Sequence, residues 1–104
     1  MRVAERVYIS EILKPERERL IRRIKADEKV PWIYCITMPL WKSAILEIYS
    51  YNDLRSWLYE SEDIIIVGLA VGEDDAKVVL RRIIDDLARC QMLEDVEDYF
   101  CGEC

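Results

Sequence analysis

The sequence predicts an α+β fold, a two-layer sandwich in which a mixed sheet of four or five strands packs against two main helices and one short helix. Three observations support this class. β-rich runs alternate with segments of helical periodicity, residues 64–71 are continuously apolar, and a long amphipathic segment follows them directly. The 104 residues are 52% apolar and 35% charged, a composition typical of one globular domain with one core. The expected element order is β-α-β-β-α-β-α-β, which is partly ferredoxin-like.

The first predicted elements are a strand and a helix. Residues 6–13 largely alternate between two sets of side chains, which favours a strand. Pro15 then stands where a helix begins, and Leu20 and Ile24 fall on one side at helical spacing. The pattern therefore predicts a first helix that runs to about residue 27.

A hairpin and a short helix are predicted next. Residues 32–38 are rich in β-branched and aromatic side chains and end at a proline, which predicts a strand. Residues 39–43 are typical of a connection, and 44–51 supply the returning strand. A short helix is predicted over 54–59.

The last part of the chain has the clearest pair of elements. Residues 64–71 predict a central strand, and Gly72 provides a turn into a helix whose first turn is acidic, as the helix dipole favours. The apolar stripe of this helix holds Ala76, Val79, Leu80, Ile83, Ile84, Leu87 and Cys90. Residues 93–100 fit either a helix or an edge strand, and the strand is preferred because it would complete the sheet. All of 1–104 is expected to form a single domain, with 101–104 as a flexible tail.

Composition excludes several kinds of chemistry. The chain has no histidine, which excludes Ser-His-Asp and Cys-His catalysis and every zinc motif with a His ligand. The net charge of −6 disfavours a surface that binds nucleic acid or anionic membrane throughout. No apolar run approaches the ~20 residues that a membrane span needs, and no signal-peptide core is present. We therefore expect a cytoplasmic protein with no membrane partner and with reduced cysteines.

The leading functional hypothesis is a non-enzymatic binding or protein-interaction domain that needs no cofactor. Three Trp and six Tyr stand against one Phe, and Tyr and Trp are enriched on surfaces that are wet in one state and buried in another. The expected interaction surface consists of Trp32, Trp41, Tyr49, Tyr51, Trp57 and Tyr59. The expected partner is a second copy, giving a homodimer, or another protein.

The first alternative is phosphate or nucleic-acid binding by the first helix. Its outer face is centred on Arg19 and Arg22, with Arg23 beside them. The favoured interpretation of these residues is a solvated face that pairs with acidic segments elsewhere, because a local charge cluster on an acidic chain is a weak signal.

The second alternative is a metal or thiol-redox site at Cys101 and Cys104, whose spacing lets two thiolates hold one metal. Nearby carboxylates oppose it, because they raise thiol pKa values. Catalysis is not expected, because the acidic runs near residues 60–63 and 73–75 are explained by solubility and helix capping.

Overall fold

The computed structural model describes residues 2–26, 28–39, 45–58 and 64–100. The elements in chain order are β1 (Arg2–Ile9), α1 (Arg17–Lys25), β2 (Ile33–Thr37), β3 (Glu47–Ser50), α2 (Tyr51–Leu58), β4 (Ile65–Val71), α3 (Gly72–Arg89) and α4 (Val96–Phe100). A 3-10 turn over Lys14–Glu16 precedes α1. The predicted α+β class, with a mixed sheet, is confirmed.

The four strands lie in the order β1-β4-β2-β3. β1 is parallel to β4, whereas β2 is antiparallel to both β4 and β3. The apolar strand β4 is central, as its sequence predicts, and β1 and β3 are the edges of this sheet. The order is only loosely ferredoxin-like, because the first and fourth strands are parallel neighbours.

Helices cover both faces of the sheet, so the architecture has three layers and not the expected two. Alternation along β2 shows the division: Ile33 and Cys35 contribute to the core under α1 and α2, and Ile36 to the core under α3 and α4. The core under α1 and α2 includes Leu20, Ile24, Tyr51, Leu54, Ile66 and Leu69. The core under α3 and α4 includes Val67, Ala70, Val79, Ile83, Leu87, Val96 and Phe100. Each fully buried aliphatic side chain contributes about 1.5–3 kcal/mol, so packing is the main source of stability.

A bulge in β4 lets α3 pack close to the sheet. Ile36 pairs with Gly68, but its neighbour Thr37 pairs with Ile66, so Val67 is an extra residue in β4. A Cβ atom on Gly68 would lie 2.8 Å from Ile36 Cδ1 and 3.2 Å from a methyl group of Val79. Glycine is therefore required here by the close approach of two buried side chains.

The first strand lies four residues nearer the N-terminus than the predicted range 6–13. The chain leaves the strand at Ser10, whose carbonyl accepts hydrogen bonds from the amides of Leu13 and Lys14 at 3.0 and 3.1 Å. This local turn uses backbone groups that a longer strand would have paired with β4. The helix α2 likewise begins earlier than predicted, at Tyr51.

The predicted edge strand over 93–100 is wrong, because residues 96–100 form the helix α4. The amide of Tyr99 donates to the Asp95 carbonyl at 3.1 Å. Val96, Tyr99 and Phe100 are all buried, and a helix brings their spacing of three and four residues to one side. Among the described helices, none has the length and apolar character needed to cross a membrane.

Candidate functional site

Trp32 occupies a turn between α1 and β2 and projects into solvent. Its φ is +70°, in the left-handed region that bulky residues rarely adopt. Pro31 before it suits the first central position of a turn, and the next position then usually holds Gly or Asn. The side chain of Trp32 is 78% exposed, whereas those of Val30 and Ile33 are each 5% exposed. Both sides of the turn are therefore anchored in the core while the indole ring is held outside it.

The turn is also fixed from the opposite side. The Gly72 amide at the start of α3 donates to the Trp32 carbonyl at 2.9 Å. A left-handed conformation costs a non-glycine residue on the order of 1–2 kcal/mol. This cost persists in the fold although no core contact of the exposed ring offsets it.

A hollow of about 280 Å³ lies beside the turn. Its apolar lining comes from Leu13, Leu20, Val30, Pro31, Ile33 and Val71, and Trp32 also contributes. Arg19, Arg23 and Glu16 line it as well. The site thus combines an apolar floor, an indole ring and two guanidinium groups.

Among the described residues, the ion pairs of the two arginines in this hollow are weak. Arg19 Nη1 lies 3.7 Å from Glu16 Oε1, and Arg23 Nε lies 3.7 Å from Glu28 Oε1. Arg23 also donates to the Lys29 carbonyl at 3.1 Å. Solvent-exposed pairs of this kind contribute about 0–1 kcal/mol, so both guanidinium groups can turn to a ligand at little expense.

Cationic side chains continue from the hollow along the outer surface of α1. We use the name basic track for Lys14, Arg17, Arg19, Arg22, Arg23 and Lys25. All of them are exposed except Arg23, which is half-buried. Residues 2–25 contain eight Lys or Arg and four Asp or Glu, although the whole chain has a net charge of −6.

Three further hollows follow along this track: the second adjoins the first, and the third and fourth adjoin the second. The second, of about 520 Å³, shares Arg19 with the first and also contains Arg22. The third, of about 380 Å³, lies between β1 and α1 and contains Arg17, Arg22 and Lys25. The fourth, of about 390 Å³, is lined by Arg6, Lys14, Arg17 and Arg82 together with Asp86. Each hollow therefore has at least two cations, and neighbouring hollows share arginines.

The structure gathers the predicted phosphate-binding arginines on this surface. Arg19 and Arg22 are exposed, and Arg23 reaches the hollow beside Trp32. The sequence missed the combination of Arg19 and Arg23 with Trp32. The only signal of this combination in the sequence was the residue pair Pro31-Trp32. The conformation of the turn cannot be derived from that pair alone.

The predicted aromatic interaction surface is only partly on the surface. Tyr51 is fully buried, and its hydroxyl donates to the Glu28 carbonyl at 3.2 Å, so its assignment to that surface was wrong. Tyr49 is half-buried against the core under α1 and donates to Glu47 Oε1 at 3.1 Å. The reason is tertiary: Tyr49 and Tyr51 both lie on the side of the sheet that α1 and α2 cover.

The other members of that predicted surface cannot be placed beside Trp32. Trp41 and Tyr59 lie outside the described residues, and so does the side chain of Trp57. The homodimer predicted from the aromatic residues stays a prediction, and Trp32 is the exposed member of the set among the residues that the structure describes.

The oxidation state of one cysteine, Cys90, differs from the expectation that all cysteines are reduced. Cys35 is free and buried, and burial raises the pKa of its thiol. Cys90 is exposed and disulfide-bonded, so the expectation of a reduced thiol in the apolar stripe was wrong there. Disulfides are rare in the cytosol, and the predicted cytoplasmic location gains no support from this bond.

The predicted metal or redox pair, Cys101 and Cys104, lies outside the described residues. Within the residues that the structure does describe, no group of three or more Cys, Asp or Glu side chains is arranged to hold a metal ion. Metal binding at the C-terminal pair stays a prediction.

A tyrosine–aspartate cluster that the sequence did not reveal joins β1, α3 and α4. Tyr8 donates to Asp86 Oδ2 at 2.6 Å, and the hydroxyls of Tyr8 and Tyr99 are 2.6 Å apart. The Arg82 guanidinium lies over the Tyr8 ring, 5.8 Å from its centroid. Burial, followed by the hydrogen bonds to Asp86 and Tyr99, raises the pKa of Tyr8. Tyr8 is therefore neutral: it donates its one hydroxyl proton to Asp86 of α3 and accepts a hydrogen bond from Tyr99, which ties α4 to the sheet.

Comparisons with known proteins identify no relative. No protein-family model matches the chain, and no significant match was found among curated proteins or among solved structures. The function must therefore be inferred from the side chains around Trp32 and along α1.

Proposed function

We propose that this domain is a non-enzymatic binding module that holds an extended, phosphate-bearing polyanion along the basic track of α1. The supporting observation is the series of four adjoining hollows, each lined by two or more cations, around one nine-residue helix. A single phosphate would need one such hollow. A series that shares arginines suits a ligand with repeated charges.

A phosphate chain fits this surface better than an acidic peptide. The backbone amides and carbonyls of α1 already pair within the helix, so the surface offers side-chain donors from Arg and Lys. A peptide laid there would find few acceptors on the protein for its backbone N–H groups besides the carboxylates of Glu16 and Glu18. A phosphodiester or polyphosphate backbone carries acceptor oxygens only, which match the planar donor fork of arginine.

The net negative charge of the chain does not prevent such binding. Exposed charges separated by more than the Debye length, about 8 Å at physiological salt, are largely screened. The field at the basic track is therefore set by its own cations and by the interspersed Glu16 and Glu18. The exposed pair of Arg19 and Glu16, whose charged atoms are 3.7 Å apart, is weak enough to be exchanged for phosphate.

The pKa shifts of the described residues offer no candidate for a general base. The pKa values of Tyr8 and Cys35 are raised, so both groups stay protonated near neutral pH. The hydrogen bond and charge of Lys14 lower the pKa of Glu11, which stays ionised. None of these three shifts moves a pKa toward neutrality, where an efficient general base titrates.

Calorimetric titration with inorganic polyphosphate at low ionic strength tests the proposal. We expect binding that weakens with salt, with a logarithmic slope of about −0.7 for each phosphate contact. The double variant Arg19→Ala/Arg22→Ala should bind about tenfold more weakly and with a shallower salt slope. Its thermal unfolding should be almost unchanged, because both side chains are exposed.

The matched control is Lys77→Ala/Arg81→Ala. It removes the same charge from exposed positions of α3 and should retain the affinity of the unmodified chain. Equal losses in the two double variants would show a general charge effect and contradict the basic track as the site. Equal affinity for polyglutamate of matched charge would contradict the preference for phosphate.

A further inference from the structure

The ring of Trp32 is available for stacking. It is 78% exposed, and its turn is fixed by buried neighbours and by the hydrogen bond from Gly72 at 2.9 Å. A ligand that contacts the ring therefore meets a platform that is already positioned, and little ordering of the backbone is required on binding.

The hollow beside the ring suits a planar group that carries an anion. Leu20, Val30 and Ile33 supply part of its apolar floor, and Arg19 and Arg23 supply guanidinium groups. A nucleotide has this pair of properties, because its base has an apolar π-face and its phosphate is anionic. Base stacking on aromatic side chains and phosphate contacts from arginine are the usual elements of single-strand recognition.

The charges around the turn favour one direction for a bound strand. The first hollow leads through Arg19 into the rest of the basic track. On the other side of the turn, α3 begins with the acidic residues Glu73, Asp74 and Asp75, which repel phosphate. A strand with one base at Trp32 would therefore extend along α1 and away from α3.

We propose that Trp32 stacks a base of single-stranded nucleic acid whose phosphates follow the basic track. This inference rests on the proposed polyanion binding and adds the ligand class and the role of the indole ring. A single strand is required because bases within a duplex have no free face to offer to an aromatic side chain.

The experiment compares a short oligodeoxyadenosine with an abasic strand that has the same number of phosphates, both titrated onto the full chain. The strand with bases should bind about tenfold more tightly. Trp32→Gly should reduce its affinity to that of the abasic strand, because the ring is removed while glycine accepts the positive φ. Trp32→Phe should restore most of the difference, since another aromatic ring can stack.

The possible results separate the two proposals. Equal affinity for the two strands, or a base preference that survives Trp32→Gly, would overturn the stacking inference. If both strands bound equally and lost affinity in Arg19→Ala/Arg22→Ala, polyanion binding would stand without it. Tighter binding of a duplex of the same sequence would also overturn the single-strand inference.

Discussion

Trp32 and Gly72 share an unusual backbone conformation and contact each other, but they have it for different reasons. Their φ values are +70° and +80°, and the Gly72 amide donates to the Trp32 carbonyl. Glycine adopts this region without a steric penalty, so the backbone alone explains Gly72. The backbone does not explain Trp32, because glycine would serve the turn better. The turn conformation therefore accounts for the residue type at position 72 but not for a tryptophan at position 32.

The charges around the two turns differ as well. Trp32 adjoins the hollow that contains Arg19 and Arg23. Gly72 opens a helix with an acidic first turn, where the carboxylate of Asp75 accepts a hydrogen bond from the Val71 amide at 2.9 Å. These carboxylates complement the helix dipole. One turn is therefore explained by local folding rules, and the other presents an aromatic ring beside cations.

Gly68 adds a third case to the comparison, and its substitution should have the largest effect on stability. Its neighbours leave too little space for a Cβ atom, so Gly68→Ala should lower the free energy of unfolding by about 2 kcal/mol through overpacking. Urea denaturation measures the change. Ile36→Val removes the nearest atom, so the double variant should lose less stability than the sum of the two single variants. Strict additivity would show that Ile36 Cδ1 is not the obstacle.

Gly72→Ala tests the conformational cost of a positive φ at a position without steric crowding. No atom lies within 4 Å of the position that its Cβ would take, so the loss should come from the positive φ and amount to about 1–2 kcal/mol. Chemical denaturation should show a smaller loss for Gly72→Asn, because asparagine tolerates this region better. An equal loss for the two variants would argue against a conformational cause.

Substitutions at Trp32 should give the smallest changes in stability. They should also reverse the usual order of stability of a glycine and an alanine variant. Trp32→Gly should be more stable than Trp32→Ala by about 1 kcal/mol, because alanine keeps the strain that glycine relieves. Glycine is normally the less stable of the two in regular structure by roughly 0.5–1 kcal/mol. Denaturation midpoints at equal m-values measure the order. A more stable alanine variant would show that the Trp32 backbone is not strained.

Local patterns predicted β4 and α3 well. The apolar run 64–71 and the stripe after Gly72 correspond to Ile65–Val71 and Gly72–Arg89. The strand is buried on both faces and so must be apolar throughout, whereas the helix buries one face and so must show helical periodicity. The strand β1 was displaced because its alternation continues past Ser10 into residues that form a turn. Sequence periodicity alone does not show at which residue the hydrogen bonds between neighbouring strands end.

Local sequence patterns could not predict the contacts between residues that are distant in the chain. The link from Tyr8 to Asp86 spans 78 positions, and the link from Tyr8 to Tyr99 spans 91. These contacts, together with the burial of Phe100, favour a helix where the local pattern fitted both a helix and a strand. The enclosure of Tyr51 and the exposure of Trp32 have the same origin, since aromatic composition does not specify which rings the sheet covers.

The amino-acid sequence by itself determined the α+β class, the central strand, the long helix after it and the cationic outer side of α1, because each depends on neighbours within a few residues. Tertiary structure decided that helices cover both faces of the sheet, that α4 is a helix, and that Trp32 lies beside Arg19 and Arg23. The physical reason is that periodicity fixes which face of an element is apolar, whereas only packing against distant segments decides what covers that face and what remains in solvent.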